Sequence, residues 1–260
     1  MKYIIAADCD GCACVVGEPG KSLTYSLDYG FARSQATREA DAAARALFDC
    51  GANEVLVWDN HGAGANLDYH LLDARCKVAL GSGFTRRWPE LDDSFAGVLM
   101  VGYHSMEGTE GGVLAHTFSS QVYRSISLNG QEVGEIALDA SVAGEIGVPV
   151  IFVASDDHGC AEAGRFLPWA QTVVTKQGKG CNRAVSKHPE AACGDIYEGV
   201  RQAVSRVGEM KTFTFAPPLE MEIRFKRISQ ACIARIRRRG WRMAGPYSIR
   251  RKLALMQEWS

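Results

Sequence analysis

Two carboxylates, Asp8 and Asp10, close the apolar stretch with which the chain begins. Residues two apart in a strand face the same side, so both side chains would project together from the end of a first strand. A pair of carboxylates held in this way can bind a cation. The same D-x-D-G pattern also ends ordinary strands in turns, because Asp and Gly favour turns. The pair alone leaves both readings open, and the other strand ends decide between them.

Metal-capable side chains also follow later apolar stretches, namely Asp59, His61, His104 and, as a weaker case, Asp156. In open parallel sheets ligands bind outside the carboxyl ends of the strands, so one rim would gather these groups with Asp8 and Asp10. A lone histidine at a strand end is more often an ordinary surface or core residue. Two histidines joining paired carboxylates from separate strands favour a metal centre. A set of Asp, His and Glu without thiolates is typical of catalytic zinc, with manganese as the alternative.

The elements that must position these residues alternate between strand and helix. Helical periodicity covers about 31–50, 134–145 and 189–207, and apolar stretches typical of strands lie between these segments. This alternation predicts an α/β fold in which a mostly parallel sheet is flanked by helices and the metal site lies at the carboxyl ends of the strands. We expect a smaller α+β portion as well, which includes the C-terminal segment.

Three segments give more local predictions. Asn129 and Gly130 form a strong turn dipeptide and predict a hairpin. The polar run 86–89, Arg-Arg-Trp-Pro, is expected to be an exposed loop, and the Gly- and Lys-rich residues after Lys176 are expected to form another. Near the C-terminus, the pattern predicts one strand over about 241–248.

Charge is divided unevenly along the chain. Residues 201–260 contain 14 Lys and Arg against 4 Asp and Glu, which leaves 15 against 26 in the first 200 residues. We expect a metal-binding catalytic core over 1–207, with an insertion at about 71–133, and a basic strand-helix-strand segment over 208–260. A basic tail can bind nucleic acid, but arginines that alternate with apolar positions suit contact with an acidic subunit equally well. We therefore expect an assembly element and no nucleic acid.

Cysteine usage and the N-terminal sequence indicate a cytoplasmic protein. The nine cysteines are scattered and odd in number, which favours reduced thiols over a disulfide framework. Cys9 and Cys12 resemble half of a zinc or redox pair, but the chain has no second C-x-x-C to complete a structural site. Five uncharged residues between Lys2 and Asp8 are too few for a signal peptide, and no later stretch is long enough to span a membrane. We expect no membrane partner.

Six blocks of the sequence, spread over nearly its full length, resemble the DppA-type D-aminopeptidases, a family of zinc peptidases related to the dipeptide-transport operon. In chain order they are AADCDG, VLVWDNHG, DDSFAGVLMVGYH, GGVLAHTF, VGEIALDASVAGEIGVPVIFVASDD and TVVTKQGKGCNRA. The blocks that contain GYH and VGE are the specific ones. One departure is plain: Asp10 stands where the family's opening pattern, S-x-D-x-E-G, has Glu. The side chain is one methylene shorter, so backbone placement must make up the distance to a metal.

The resemblance assigns roles to individual residues. It implies two zinc ions per subunit, held by Asp8, Asp10, His61, His104 and Glu135. Within that set Asp8 would bridge the two ions, and His116 would be the catalytic residue. From the pattern alone, Glu135 is only an acid in the first turn of a helix, where it is favourable beside the helix dipole.

The activity implied by the resemblance is hydrolysis of short peptides with a free N-terminal D-amino acid, such as D-alanine, by a water that zinc activates. His116 would stabilise the oxyanion or pass a proton to the leaving amine. Family members form closed ring-like oligomers, so the resemblance implies a homo-oligomer, a decamer. Two alternatives stay open. One is another metallohydrolase, acting on amides or phosphate esters at the same site, and the other is a non-catalytic metal-binding assembly protein.

Overall fold

The computed structural model describes residues 1–259, which form two sheets and five α-helices. The strands are β1 (Lys2–Ala7), β2 (Glu54–Asp59), β3 (Lys77–Ala79), β4 (Phe95–Val101), β5 (Tyr123–Leu128), β6 (Gln131–Glu132), β7 (Val150–Asp156), β8 (Gln171–Gly180), β9 (Arg183–Ser186), β10 (Leu219–Phe225), β11 (Arg242–Gly245) and β12 (Ser248–Leu253). The helices are α1 (Tyr29–Asp49), α2 (Glu135–Ile146), α3 (Asp157–Phe166), α4 (Pro189–Ser205) and α5 (Ile228–Arg237).

Seven strands form the main sheet in the order β3-β2-β1-β4-β7-β8-β9, and every neighbouring pair is parallel except β8 with β9. The chain runs outward from β1 through β2 to β3, returns to the centre, and then runs from β4 through β7 to β8 in the other direction. The strand order therefore reverses between β1 and β4. In open α/β sheets this switch point, outside the carboxyl ends of the strands, is where ligands bind. The predicted fold class is confirmed.

Both faces of the main sheet are covered. Ile4 of β1 packs in the core cluster that contains Ile136 of α2, and Ile5 packs in a second cluster with Ala36 of α1 and Ile196 of α4. Strands buried on both faces are apolar along their whole length, which explains the continuous apolar runs that predicted them. Each buried aliphatic side chain stabilises the fold by roughly 1.5–3 kcal/mol, so the core fixes where the end of β1 lies.

The second sheet is antiparallel, in the order β11-β12-β10-β5-β6. It combines β5 and β6 from the middle of the chain with strands of the basic C-terminal segment, and Ile126 pairs with Ile223 across this junction. The hairpin predicted at Asn129–Gly130 is present between β5 and β6.

Two predictions about single strands and loops are wrong. The single strand expected over 241–248 is a hairpin of β11 and β12, because Pro246 cannot donate to a strand ladder and the chain turns there. The loop expected after Lys176 is also a hairpin, since β8 continues to Gly180 and pairs with β9.

The run 86–89 is predicted to be an exposed loop, and this prediction is wrong for Trp88 and Pro89, which are both buried. Arg86 is exposed, but Trp88 is fully buried and packs against Trp58 with ring centroids 5.4 Å apart. Its Nε1 donates to the backbone oxygen of Asp139 at 2.9 Å. Two arginines and a proline are typical of an exposed loop. The contacts that bury the indole come from residues distant in the chain, so the local sequence does not indicate them.

Two findings concern the whole described chain. All nine cysteines lie within residues 1–259 and are free thiols, with Cys9 and Cys12 buried. Over the same residues, none of the helices combines the length and the apolar character needed to cross a membrane.

Candidate metal centre

The loop after β1 carries Asp8 and Asp10 at the switch point of the main sheet. Two glycines let this loop touch the end of β4. Gly11 N donates to Gly102 O at 2.7 Å, and a Cβ on Gly11 would stand 1.7 Å from a backbone carbonyl oxygen. Gly102 has a φ of +73°, in the left-handed region that favours glycine, and a Cβ there would lie 2.1 Å from Asp8 O. This close approach brings the two carboxylates beside His104.

Lys176 fixes the same loop from the opposite side. It is 1% exposed, and its Nζ donates to the backbone oxygens of Asp10 at 2.6 Å, Cys12 at 2.8 Å and Val15 at 2.6 Å. Burial lowers the pKa of Lys176. This anchoring role of Lys176 was not predicted from the sequence. The only indication available there was a lysine inside the strand-like stretch of β8.

His61 contacts both carboxylates. Its Nδ1 lies 2.7 Å from Asp8 Oδ1 and 3.0 Å from Asp10 Oδ2. Burial alone would raise the pKa of Asp10, but the charge of His61 and its hydrogen bond outweigh burial and hold that pKa well below its usual range. Burial alone would lower the pKa of His61, yet Asp10 and Asp8 together raise it well above its usual value. Asp10 and His61 therefore titrate as one unit.

His104 presents one ring nitrogen to the acids. Its Nδ1 donates to Ser105 O at 3.0 Å, which leaves Nε2 3.5 Å from Asp8 Oδ2 and 3.3 Å from Glu135 Oε1. Burial would lower the pKa of His104, but the hydrogen bond and charge of Glu135 raise it to about 10. A histidine whose second nitrogen is held by a backbone carbonyl is the arrangement found at metal ligands.

Glu135 is the first residue of α2. Its Oε1 accepts a hydrogen bond from Phe118 N at 2.6 Å, and its Oε2 lies 3.5 Å from Arg87 Nη2. Burial would raise the pKa of Glu135, but the hydrogen bond and charge of His104 lower it to about 2. The carboxylate therefore stays ionised although it is buried.

His116 lies on the loop between β4 and β5. Its ring stacks on that of His104, with centroids 3.9 Å apart and planes 10° from parallel, and its Nδ1 donates to Leu114 O at 2.8 Å. Asp156 anchors this loop, because its Oδ2 accepts from Val113 N at 2.8 Å. Asp156 also caps α3, so it serves the backbone and not the cluster.

Asp59 was considered as a metal ligand from the sequence, but both of its carboxylate oxygens accept hydrogen bonds from residues of the loop that follows it. One of its carboxylate oxygens accepts from the Asn66 and Leu67 backbone at 2.6 and 2.9 Å, and the other accepts from Asn66 Nδ2 at 2.6 Å. Asn66 Nδ2 also donates to His61 O. Asp59 therefore shapes the turn that carries His61.

The donor atoms fit a metal ion. Two groups have ligand atoms that all lie within 4.8 Å of one another: Asp8 with Asp10 and His61, and Asp10 with His104 and His116. Within residues 1–259, the buried atom His61 Nε2 has no hydrogen-bond partner. Carboxylate and imidazole donors without a thiolate suit zinc in a catalytic site, or manganese. The structure thus brings the five predicted ligands and His116 to one rim, while their roles stay predictions.

The cluster opens into a pocket of about 320 Å³. Beyond the cluster, the residues that line the pocket include Lys21, Thr24, Phe118, Gln121 and Cys181. The volume is at the lower end of the range for small-molecule sites, which suits a short substrate.

The fold and the cluster define a class of protein: an α/β protein with a candidate metal centre at the switch point of its parallel sheet. The chain belongs to the family described as D-aminopeptidase, whose sequence profile matches residues 1–258. This finding confirms the family resemblance drawn from the sequence blocks.

A sequence relative and a solved structure agree with this assignment. The D-aminopeptidase of Bacillus subtilis (strain 168) is 30% identical over 234 residues, which cover 89% of this chain and 84% of the relative. The structure of the Zn-dependent D-aminopeptidase DppA from Bacillus subtilis, described as a self-compartmentalizing protease, matches with a TM-score of 0.90 at 28% identity. That match covers 99% of this chain and 93% of the other.

Proposed function

We propose that this chain hydrolyses short peptides with a free N-terminal D-amino acid, of the D-alanine type, using zinc-activated water. The chain is a metal-dependent peptidase of the D-aminopeptidase family. The observation that supports the metal most directly is the buried Asp and His cluster that lines a small pocket, and the family match supports the substrate class. Zinc is the metal named for the structural relative, and manganese is the alternative that the same donors allow.

We infer that two ions are held by Asp8, Asp10, His61, His104 and Glu135. The support for Asp8 as the bridge is that its two oxygens face different histidines, Oδ1 at 2.7 Å from His61 Nδ1 and Oδ2 at 3.5 Å from His104 Nε2. The support for Asp10 is that Oδ2 reaches to 3.0 Å from His61 Nδ1 although its side chain is shorter than the family's Glu. The backbone of the β1 loop, held by Lys176, makes up the missing length.

When bound, the metal supplies polarisation of the scissile carbonyl and a water of lowered pKa. His116 is then the group that handles charge and protons. Because Nδ1–H donates to Leu114 O, Nε2 is the nitrogen that can turn to the substrate. Once Nε2 has taken up a proton, the doubly protonated ring can donate to the developing oxyanion or pass that proton to the leaving amine. Stacking on His104 holds the His116 ring in place while it does so. The buried acids of the cluster offer an anchor for the free amine of the substrate.

We also propose that the chain self-associates into a ring-like homo-oligomer, a decamer by resemblance, through its basic segment 208–260, with the catalytic core over 1–207. The relative's description as self-compartmentalizing supports assembly. In the segment itself, Ile233 and Ile236 of α5 are 50% and 82% exposed, beside arginines of the same helix. Large exposed apolar side chains of this kind mark interaction surfaces. A cytoplasmic location stays a prediction.

The function is tested with zinc-loaded enzyme on D-Ala-D-Ala and D-Ala amide, with L-Ala-L-Ala and a phosphate ester alongside. We expect release of D-alanine that stops on chelation and returns with zinc. His116→Ala should lower kcat by about 10²- to 10⁴-fold, whereas His70→Ala, at an exposed histidine, should not. Loaded enzyme that cleaves none of the peptides would overturn the proposal, and unchanged turnover in His116→Ala would remove that residue from the chemistry.

A further inference from the structure

A buried polar network adjoins the proposed ligands and consists of Asn60, Tyr103, Asp139 and Arg87. Asn60 Nδ2 donates to Tyr103 Oη at 2.9 Å, and Tyr103 Oη donates to Asp139 Oδ2 at 2.7 Å. Arg87 closes the network with two parallel hydrogen bonds, Nε to Asp139 Oδ1 at 2.6 Å and Nη2 to Asp139 Oδ2 at 2.8 Å. Bidentate pairs of this kind are strong and fix orientation as well as distance.

Three members of the network neighbour a proposed ligand: Asn60 precedes His61, Tyr103 precedes His104, and Asp139 lies one turn of α2 after Glu135. The network therefore ties the ends of β2 and β4 to the first turn of α2. The metal site requires these three elements to keep fixed positions relative to one another, because each carries one proposed ligand. Asp139 is the shared acceptor, since Tyr103 and Arg87 both donate to it.

Arg87 reaches the site directly as well as through Asp139. Its Nη2 lies 3.5 Å from Glu135 Oε2, and its guanidinium carbon lies 4.8 Å from the ring centre of Trp58 and 5.0 Å from that of Phe118. The two rings hold the guanidinium, and cation–π attraction adds to that hold. Phe118 N donates to Glu135 Oε1, so each carboxylate oxygen of Glu135 has its own partner.

Burial makes this network depend on all of its members. Asp139 and Tyr103 are 0% exposed, and the Arg87 side chain is 16% exposed. Burial alone would lower the pKa of Arg87, but the charge of Asp139 raises it above its usual value, so the guanidinium stays charged. Removing either charge leaves the other buried without its partner.

We propose that Arg87 and Asp139, with Tyr103 and Asn60, are positioning residues that set the orientation of His61, His104 and Glu135 and so determine metal affinity and coordination geometry. The inference rests on the proposed function, because it takes those three residues as ligands. Outer partners of metal ligands typically change metal affinity by about 10- to 100-fold when they are removed.

The test measures metal binding without any peptide. Arg87→Met and Asp139→Asn are compared with wild type and with Arg86→Met, which removes an exposed arginine next to Arg87 in the sequence. Zinc affinity is measured by competition with a chromophoric chelator, and the d–d absorption bands of the cobalt(II)-substituted proteins report ligand geometry. We expect the zinc Kd to rise about 10- to 100-fold in both network variants, with shifted cobalt bands, and neither change in Arg86→Met.

A double variant and a milder one keep the test decisive. If both act through one network, Arg87→Met with Asp139→Asn should bind zinc little worse than either alone. Tyr103→Phe removes one hydroxyl and keeps the ring, so it covers the case in which a charge variant fails to fold. Wild-type affinity and wild-type cobalt bands in folded variants would overturn the inference while leaving the peptidase proposal intact. A metal-binding wild type that cleaves no D-peptide would overturn the peptidase proposal alone, and a wild type that binds no metal would overturn both.

Discussion

Replacing Lys176 with Met should destabilise the protein by about 3 kcal/mol and weaken its metal site. The ammonium of Lys176 is almost fully buried and has carbonyl oxygens as its three hydrogen-bond partners, all in the loop that carries Asp10. Met has a similar length and shape, so the substitution removes the charge and its three donors while leaving little empty space.

The magnitude follows from the partners left behind. Cys12 O keeps a second donor, Val15 N at 3.3 Å, so two carbonyls, those of Asp10 and Val15, lose the hydrogen bond that Lys176 gave them. Each buried polar group left in this way costs about 1–3 kcal/mol. The two carbonyls together cost about 2–6 kcal/mol. Removal of the buried ammonium offsets part of this cost, because burial disfavours the charge and lowers the pKa of Lys176. The net destabilisation therefore lies in the lower half of that range.

Thermal unfolding of chelator-treated protein, followed by circular dichroism at one fixed protein concentration, measures this effect. A loss of about 3 kcal/mol corresponds to a fall in Tm of roughly 6–12 °C for a chain of this size. Lys179→Met, at an exposed lysine of the same strand, is the matched control and should leave Tm unchanged. A Tm for Lys176→Met within about 2 °C of wild type would refute the reasoning, because the loop would then be held by other contacts.

Three further predictions concern the site and its surroundings. Asp10→Ala should lower the zinc content from the proposed two equivalents to one or none, whereas Asp10→Glu, which restores the family's residue, should keep the wild-type content. Metal analysis of the purified proteins measures this, and equal zinc in Asp10→Ala and wild type contradicts the ligand assignment. Gly11→Ala should destabilise the protein by about 2 kcal/mol or more in urea unfolding, because its Cβ would overlap a backbone carbonyl, while Gly194→Ala, in open space on α4, should cost little. Burial raises the pKa of Glu162 to about 7. The folded protein therefore keeps a proton on Glu162 that the unfolded chain releases near pH 4.5. The stability that this proton contributes is lost as the pH rises through 7. Wild type should therefore lose roughly 3 kcal/mol more than Glu162→Gln between pH 4.5 and 8, and identical pH profiles of unfolding would count against the shifted pKa.

Local sequence could predict the main sheet because its strands are buried on both faces. A stretch such as 150–154 has to be apolar throughout, and that pattern is readable without any knowledge of its neighbours. Local sequence does not indicate which strands pair in the second sheet. Its junction pairs Ile126 with Ile223, and nothing in either stretch alone indicates a partner so distant in the chain.

The same distinction applies to the site. Asp8, Asp10, His61 and His104 could be proposed from the residues alone, because the topology of a parallel sheet places strand ends on one rim. Glu135 and His116 needed the family resemblance, since a helix start and a loop are brought there by tertiary contacts, such as the hydrogen bond from Phe118 N.

Arg87 escaped both routes, although the sequence held a physical signal for it. Asp139 lies on α2 among residues that are buried from 135 to 144, and an acid inside such an apolar helix needs a cation from elsewhere in the chain. The sequence indicates that Asp139 needs a cation but does not indicate which arginine supplies it, because Arg87 lies 52 residues away along the chain. A buried charge on an apolar helix therefore predicts a partner, and the fold identifies that partner as Arg87, the residue that we propose holds the metal site in register.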